Sequence, residues 1–142
     1  MFNTNLFSSV KEDWGTPQWL FDELNFEFGF TLDACANEYN AKCNRYFSIR
    51  DNGLEQDWSG NVVFCNPPYG KQLSLWVEKC WNESKKPNTI VVMLIPVRTD
   101  TKWFHKFVYN QSEIRFLNRR LKFQGSSNMA PFPSMIVIFR GQ

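Results

Sequence analysis

The sequence predicts a three-layer α/β domain built on a mostly parallel sheet, and three observations carry that expectation. From residue 30 onward, apolar runs of strand length alternate with amphipathic helical segments, the order produced by parallel strands joined through crossover helices. The run Val62, Val63, Phe64, Cys65 contains no polar side chain, as a strand covered on both faces requires. Directly after it stand Asn66, Pro67, Pro68, Tyr69 and Gly70. Two prolines cannot continue a hydrogen-bonded ladder, so the chain must leave the sheet there in a rigid, extended turn. In open α/β sheets ligands bind outside the carboxyl ends of the strands, and this turn is such an end.

The length of 142 residues is that of one domain with a sizeable core. Residues 14–142 are expected to form it, with the polar, aperiodic residues 1–13 as a mobile arm. Fourteen Phe and six Trp suit dense packing and also provide stacking surfaces. A net charge of +2 permits nucleic-acid binding without demanding it, so any basic patch must be local. Cys35, Cys43, Cys65 and Cys80 include no C-x-x-C pair, and His105 stands apart from them, which argues against a zinc site. Cys65 and Cys80 read as small core residues in a reducing cytoplasm. No signal-like start or membrane-length apolar run is present, so a soluble intracellular protein is expected.

Taken in order, Thr16 is placed to cap a helix with Pro17 in its first turn, and Leu20, Phe21, Leu24 and Phe28 follow at helical spacing. Residues 30–36 read as a short strand ending at Asp33 and small residues. Asp33 is open between capping the next turn and meeting a ligand. Glu38 to Tyr46 is a candidate polar helix, and Asp51, Asn52, Gly53 a strong turn. Beyond the central turn, Leu73, Trp76, Val77, Cys80 and Trp81 recur at i, i+3, i+4, i+7, i+8, an amphipathic helix. Residues 89–95 form a continuous apolar strand that Pro96 ends, and a further helix carries Trp103, Phe104, Phe107 and Val108. The loop between them should share an edge with Asn66. Its Arg98 is open between a helix-flanking charge and a phosphate contact. Residues 113–117 and 135–139 read as the last strands. Between them, Arg119, Arg120 and Lys122 adjoin a polar loop with Gly125, Asn128 and Phe132, the one compact basic patch. It is either a solvated hairpin or a phosphate contact that presents Asn128 or Phe132 to bases. His105 reads as a surface or supporting residue.

The central turn suits one task well. The amide oxygen of Asn66 and the carbonyl of Pro67 can both accept from a single planar NH2 group, while the ring of Tyr69 stacks on the flat system that carries it. An exocyclic amine is a poor nucleophile because its lone pair is delocalised. Two fixed acceptors favour a pyramidal nitrogen and aim that lone pair, using positioning and preorganised dipoles with no metal.

Asn66-Pro67-Pro68-Tyr69 resembles the Asn/Asp-Pro-Pro-Tyr/Phe signature of the amino-methyltransferases, in which these four residues form the catalytic turn. The run starting at Trp14-Gly15-Thr16-Pro17, together with residues 31–36, 65–70, 98–101, 120–123 and 130–134, is similar to the phage and prophage DNA N-6-adenine methyltransferase (Dam) family from about Trp14 to Phe139. The resemblance implies a compact Rossmann-like methyltransferase domain with a C-terminal antiparallel strand. It implies transfer of a methyl group from S-adenosylmethionine to N6 of adenine in double-stranded DNA, the base being flipped beside Asn66 and held on Tyr69.

For the cofactor it implies Trp14, Thr16 and Pro17 at a helix start that holds a carboxylate, Asp33 and Ala34 at the first strand end, and Asp57 with Trp58 against the adenine. For DNA it points to Arg98, Arg119, Arg120, Lys122 and Asn128. Asp33-Ala34-Cys35-Ala36 departs from the family's Gly-x-Gly at that strand end, and the span from Asp33 to Asp57 is too short for a full set of strands and helices. The cofactor half is thus expected to be shortened, with no residue assignable to the ribose. No metal or membrane partner is expected, the oligomeric state is open, and the cytoplasm of a bacterium carrying a phage or prophage is the expected location. The same tetrapeptide serves enzymes acting on protein glutamine or RNA guanine. A cofactor-dead phage DNA-binding module is the remaining alternative, supported by the shortened cofactor region.

Overall fold

The computed structural model of the protein describes residues 14–141, so the expected arm over residues 1–13 lies outside the described residues. Strands β1 (Leu32–Asp33), β2 (Val62–Cys65), β3 (Ile90–Pro96), β4 (Glu113–Phe116) and β5 (Ser134–Phe139) form one mixed sheet in the order β1-β2-β3-β5-β4. The first three are parallel, with Leu32 opposite Val63 and Val63 opposite Val91. β5 runs antiparallel between β3 and β4, with Val92 and Glu113 both opposite Ile138. The apolar reading of the central strands holds, because residues 91–96 and all of β5 are buried.

Helix α1 (Gln18–Phe28) buries Leu20, Phe21 and Leu24 and ends at Gly29, whose left-handed backbone (φ 69°) lets its N–H donate to Asn25 O at 2.8 Å. Its start differs from expectation. Pro17 occupies the capping position and Thr16 does not bond the helix amides; its hydroxyl is taken up elsewhere, as described below. Helix α2 (Leu73–Ser84) buries Leu73, Trp76, Val77 and Cys80 along the stripe read from the sequence. The helix after β3 is a single wide turn over Phe104–Val108, closed by Tyr109 N donating to Phe104 O at 2.8 Å and set against α2 by the Trp81–Phe107 ring pair.

The expected helix over residues 38–46 does not form. Asn37 Oδ1 accepts from the backbone of Tyr39 and Asn40, Asn40 Oδ1 accepts from Asn37 N, and Asp33 Oδ2 captures Lys42 N at 3.0 Å. Short polar side chains offered the backbone a better partner than the next helical turn. This segment instead returns along the outer edge of β1. Asp33 N donates to Arg45 O and Phe47 N donates to Asp33 O, a single parallel bridge in place of a further strand. Among the described residues β1 is thus the edge strand of the sheet, with this bridge beside it.

The amino edge of β2 and β3 is closed by a buried ionic cluster. Glu83 is 4% exposed and accepts from Trp58 N at 2.7 Å, Lys79 Nζ at 2.9 Å and Lys86 Nζ at 2.9 Å. Burial pushes its carboxyl up, but the bonds from Lys86, Trp58 and Lys79 outweigh that and hold it below the usual range. Trp58 is fully buried beneath this cluster, its indole N–H donating to Gly53 O at 2.9 Å.

Gly53 itself is required by proximity, because a Cβ there would overlap Ala34 O and press on the Trp76 ring. Gly53→Ala is expected to destabilise the protein by about 1–3 kcal/mol, since the colliding atom is backbone and cannot rotate away. Urea unfolding of the two proteins side by side measures it, and equal midpoints would show that the contact relaxes freely.

Candidate active site

The parallel strands point their carboxyl ends to one edge, and so does the loop joining β4 to β5, because Pro96 pairs with Ser134 and Phe116 with Met135. Asn66 sits at that edge, half-buried, immediately after β2. Its carboxamide is held from three directions. One side-chain N–H donates to Trp14 O in a short bond and the other to Thr16 Oγ1 at 2.9 Å. On the oxygen side, the hydroxyl of Tyr69 lies 2.7 Å from Asn66 Oδ1 and 3.0 Å from Leu94 O, two acceptors competing for one proton. Burial pushes that phenol well above its ordinary pKa, so it stays protonated and a donor.

The ring of Tyr69 is 4% exposed rather than open to the cleft. Trp14 lies nearly parallel to it, at 6.5 Å between centroids, and Phe132 and Phe123 meet it edge-on at 5.7 and 6.2 Å. Phe132 and Phe123 also pack on Trp14, at 5.3 and 5.2 Å. Four rings from three separate segments thus form one box over the turn, the part of the site that sequence reading missed. Its signal was present in the alternation of exposed Arg120 and Lys122 with buried Leu121 and Phe123, which marks a strand-like strap with one face inward. That strap is tied to the start of the chain by Gln124 N donating to Gly15 O at 2.8 Å.

Beside the box lies a narrow cleft lined by Trp14, Gly15, Thr16, Asp33, Lys42 and Asn66, among others, with a volume of about 10 Å³, room for one water. Asp33 is 3% exposed, and its carboxylate accepts only from Cys35 N (3.3 Å) and Lys42 N (3.0 Å). Desolvation pushes its pKa up to about 6, against which the two backbone bonds work only in part. Among the described residues no cationic head bonds this buried carboxylate. Across the cleft, the first amides of α1 have no intrahelical acceptor, and no acceptor for the hydroxyl proton of Thr16 is found among the described residues. An amino-acid moiety has complementary ends, an ammonium for Asp33 and a carboxylate for Thr16 and the helix start. The donor set fits such a group, while the cleft must widen to take it.

The structure brings together Trp14, Thr16, Pro17, Asp33, Asn66, Pro67, Pro68 and Tyr69. Ala34 borders them as core, fully buried with its N–H donating to Phe64 O at 2.9 Å. Arg98 reaches the turn, its Nη1 donating to Tyr69 O at 3.3 Å, so this cation braces the turn. Arg119, Arg120, Lys122 and Asn128 are exposed on the strap and the loop after it.

Asp57 and Trp58 require a correction, since they stand at the amino edge of β2, opposite to Asn66. Trp58 is a core ring, and exposed Asp57 is held below the usual carboxylate range first by Lys86 and then by Ser59. An acidic-aromatic pair just before a strand is required as much by the Glu83 cluster as by a ligand, and sequence alone does not tell these apart. Among the described residues, no group of three or more His, Cys, Asp and Glu side chains is placed to hold a metal ion, and no helix is long and apolar enough to cross a membrane.

A carboxamide fixed at the carboxyl end of a parallel strand, beside a narrow cleft that holds a buried carboxylate, is an arrangement compatible with an amino-methyltransferase. Residues 3–141 match the family model described as DNA N-6-adenine-methyltransferase (Dam). The chain is 35% identical over 147 residues to the DNA N-6-adenine-methyltransferase of Haemophilus phage HP1, covering 98% of this chain and 84% of that one. It is 32% identical over 120 residues to the DNA N-6-adenine-methyltransferase of Escherichia phage T1, covering 83% of this chain and half of that relative. The chain belongs to the DNA N-6-adenine-methyltransferase (Dam) family, a family of adenine-specific DNA methyltransferases.

Asp33 has a folded pKa above its unfolded one, so the folded state binds its proton more tightly. Stability is then greatest below the unfolded value of 3.8 and is lost as pH rises through about 6. We expect the unfolding free energy of the wild type, taken relative to Asp33→Asn, to fall by about 2–3 kcal/mol across that window, because Glu27, Asp57, Glu83 and Glu113, whose carboxyls are held low and act with the opposite sign, contribute to both proteins alike. Urea titrations at several pH values test this; an equal slope in both proteins would place the origin elsewhere.

Proposed function

We propose that the protein transfers a methyl group from S-adenosylmethionine to N6 of adenine in double-stranded DNA, within a single domain spanning residues 14–142. The observation carrying this reading is the carboxamide of Asn66, fixed at the carboxyl end of β2 by Trp14, Thr16 and Tyr69, with Pro67 next in the chain. S-adenosylmethionine supplies an electrophilic methyl on a sulfonium. Asp33 would hold its ammonium, and the Thr16 hydroxyl and the first amides of α1 its carboxylate, with Pro17 setting the helix start and Trp14 covering that end. Asn66 Oδ1 and Pro67 O accept from the amine, localise its lone pair and orient it toward the methyl group; Pro68 keeps the turn rigid. Proton loss follows bond formation and needs only a weak base, so no acid of the site is committed to it.

An amine buried in a base stack must leave the duplex to reach Asn66, so the base is flipped. In this reading Phe132 moves aside to open the box while Trp14 stays in place over Asn66, and the base then packs against Tyr69. Arg119, Arg120 and Lys122 provide phosphate contacts on the same edge, Asn128 a contact to bases, and Arg98 holds the turn firm. The architecture is read as three layers. Phe21 of α1 packs on Phe64 at 5.2 Å, whereas burial and a hydrogen bond to Cys80 of α2 push up the thiol of Cys65. Successive strand residues face opposite sides, so the two helices would cover opposite faces.

Two outcomes follow. Asn66→Ala is expected to lower turnover by about 100-fold or more while S-adenosylmethionine affinity stays within a few fold. The assay is tritium transfer to adenine-unmethylated DNA beside calorimetric titration of the cofactor, and undiminished turnover would remove Asn66 from the chemistry. Arg120→Ala combined with Lys122→Ala is expected to weaken DNA binding and reduce the slope of log K against log salt by about 2. An unaltered slope would make the strap ordinary surface.

A further inference from the structure

We propose that the carbonyl of Trp14 and the hydroxyl of Thr16 form a lock that fixes the orientation of the Asn66 amide and makes position 66 accept an amide but not a carboxylate. The inference rests on the acceptor role proposed for Asn66 and adds which residues make that role possible. A side-chain amide offers two donors and two acceptor positions. Here both donors are spent, on Trp14 O and Thr16 Oγ1, and one lone pair of the oxygen meets the Tyr69 hydroxyl. One oxygen lone pair is left, and the proposed reaction needs one acceptor from this residue.

Chemistry fixes the direction of the amide. Trp14 O can only accept, so the nitrogen must face it; the reversed amide would set two carbonyl oxygens against each other, whereas the Thr16 hydroxyl, able to donate or accept, follows the orientation that Trp14 sets. An aspartate at this position has no proton to give when ionised, and its second oxygen would face the Trp14 carbonyl in a half-buried setting. The charged form is therefore penalised, and protonation of that oxygen restores a donor toward Trp14. Trp14 O is held in turn by the path of the chain, since Gly15 is bridged to Gln124 and the Trp14 ring is packed by Tyr69, Phe123 and Phe132. Thr16 is 4% exposed and misses the helix-capping position, which frees its oxygen for Asn66. It is a positioning residue.

The other titratable and charged groups around position 66 are Asp33, Cys35 and Lys42 along the cleft, Tyr69 on the oxygen side, and Arg98 behind Tyr69. All are common to the wild type and the variants, so the informative quantity is the ratio of variant to wild type at each pH. Asn66→Asp is expected to turn over about 100-fold more slowly than wild type at pH 8.5 and to recover to within about 10-fold at pH 6. Carbon-13 NMR of the new carboxyl, which needs no activity, should show it titrating well above the ordinary carboxylate value. At saturating S-adenosylmethionine, Thr16→Val should lower kcat by about 10-fold and Thr16→Ser should restore it to within about 3-fold.

A carboxyl titrating in the ordinary range, or an Asn66→Asp enzyme as fast as wild type at pH 8.5, overturns the lock. So does a Thr16→Val enzyme with full kcat and only a raised KM for the cofactor, which would make Thr16 a cofactor ligand alone. A wild-type protein that leaves DNA unmethylated would instead count against the functional reading, and the NMR titration still decides on the lock.

Discussion

Saturation of the two donors of the Asn66 carboxamide is the constraint to which the rest of the site conforms. A planar amide with two donors has to be matched by two acceptors, and both come from the start of the chain, fifty or more residues away in sequence. To deliver them, the segment carrying Trp14 and Thr16 must cross the carboxyl edge of the sheet before α1 begins. The helix then starts one residue late, capped by Pro17 without a side-chain bond. A side-chain cap contributes on the order of 1 kcal/mol, so the local optimum at the helix start gives way to the geometry of the edge.

The same crossing explains the aromatic box. Trp14 arrives with its carbonyl on Asn66 and its ring between Phe123 and Phe132, and the strap from β4 to β5 is stitched to Gly15 through Gln124. Two stretches of chain, the run at Trp14 and the strap, meet over Tyr69, packed ring against ring and joined by the Gly15–Gln124 bridge. Offset and edge-on aromatic contacts favour this arrangement without directional bonds, so the box can exchange partners without breaking a ladder. A rigid turn beneath and an adaptable cover above suit the proposed entry of a flat ring.

Charge is distributed between the two edges of the sheet in different ways. At the amino edge, Glu83 is buried with two lysines and a backbone amide, a saturated cluster with no capacity left for a ligand. At the carboxyl edge, Asp33 is buried with two backbone amides only and holds its proton up to about pH 6. A completed ionic network supports the fold, and an incomplete one marks the place where a partner's charge would complete it.

Much of the frame was legible before any coordinate. Val62 to Cys65 had to be a buried strand because nothing in it can face water. The prolines after it had to end the ladder, and the spacing of Leu73, Trp76, Val77 and Cys80 had to give a helix with one apolar stripe. These are local properties, set by backbone sterics and side-chain periodicity. The failures were of another kind. Residues 38–46 carry helical composition, yet Asn37, Asn40 and Asp33 captured the backbone amides. Thr16 reads as a cap, yet its oxygen was needed by Asn66. Asp57 and Trp58 read as a ligand pair, yet the strand order put them at the far edge under Glu83. The sequence by itself determined which residues could form strands, turns and a strand end that carries a carboxamide. Tertiary structure alone decided which polar groups meet, because hydrogen-bond partners separated by fifty residues are chosen by the sheet that brings their ends together.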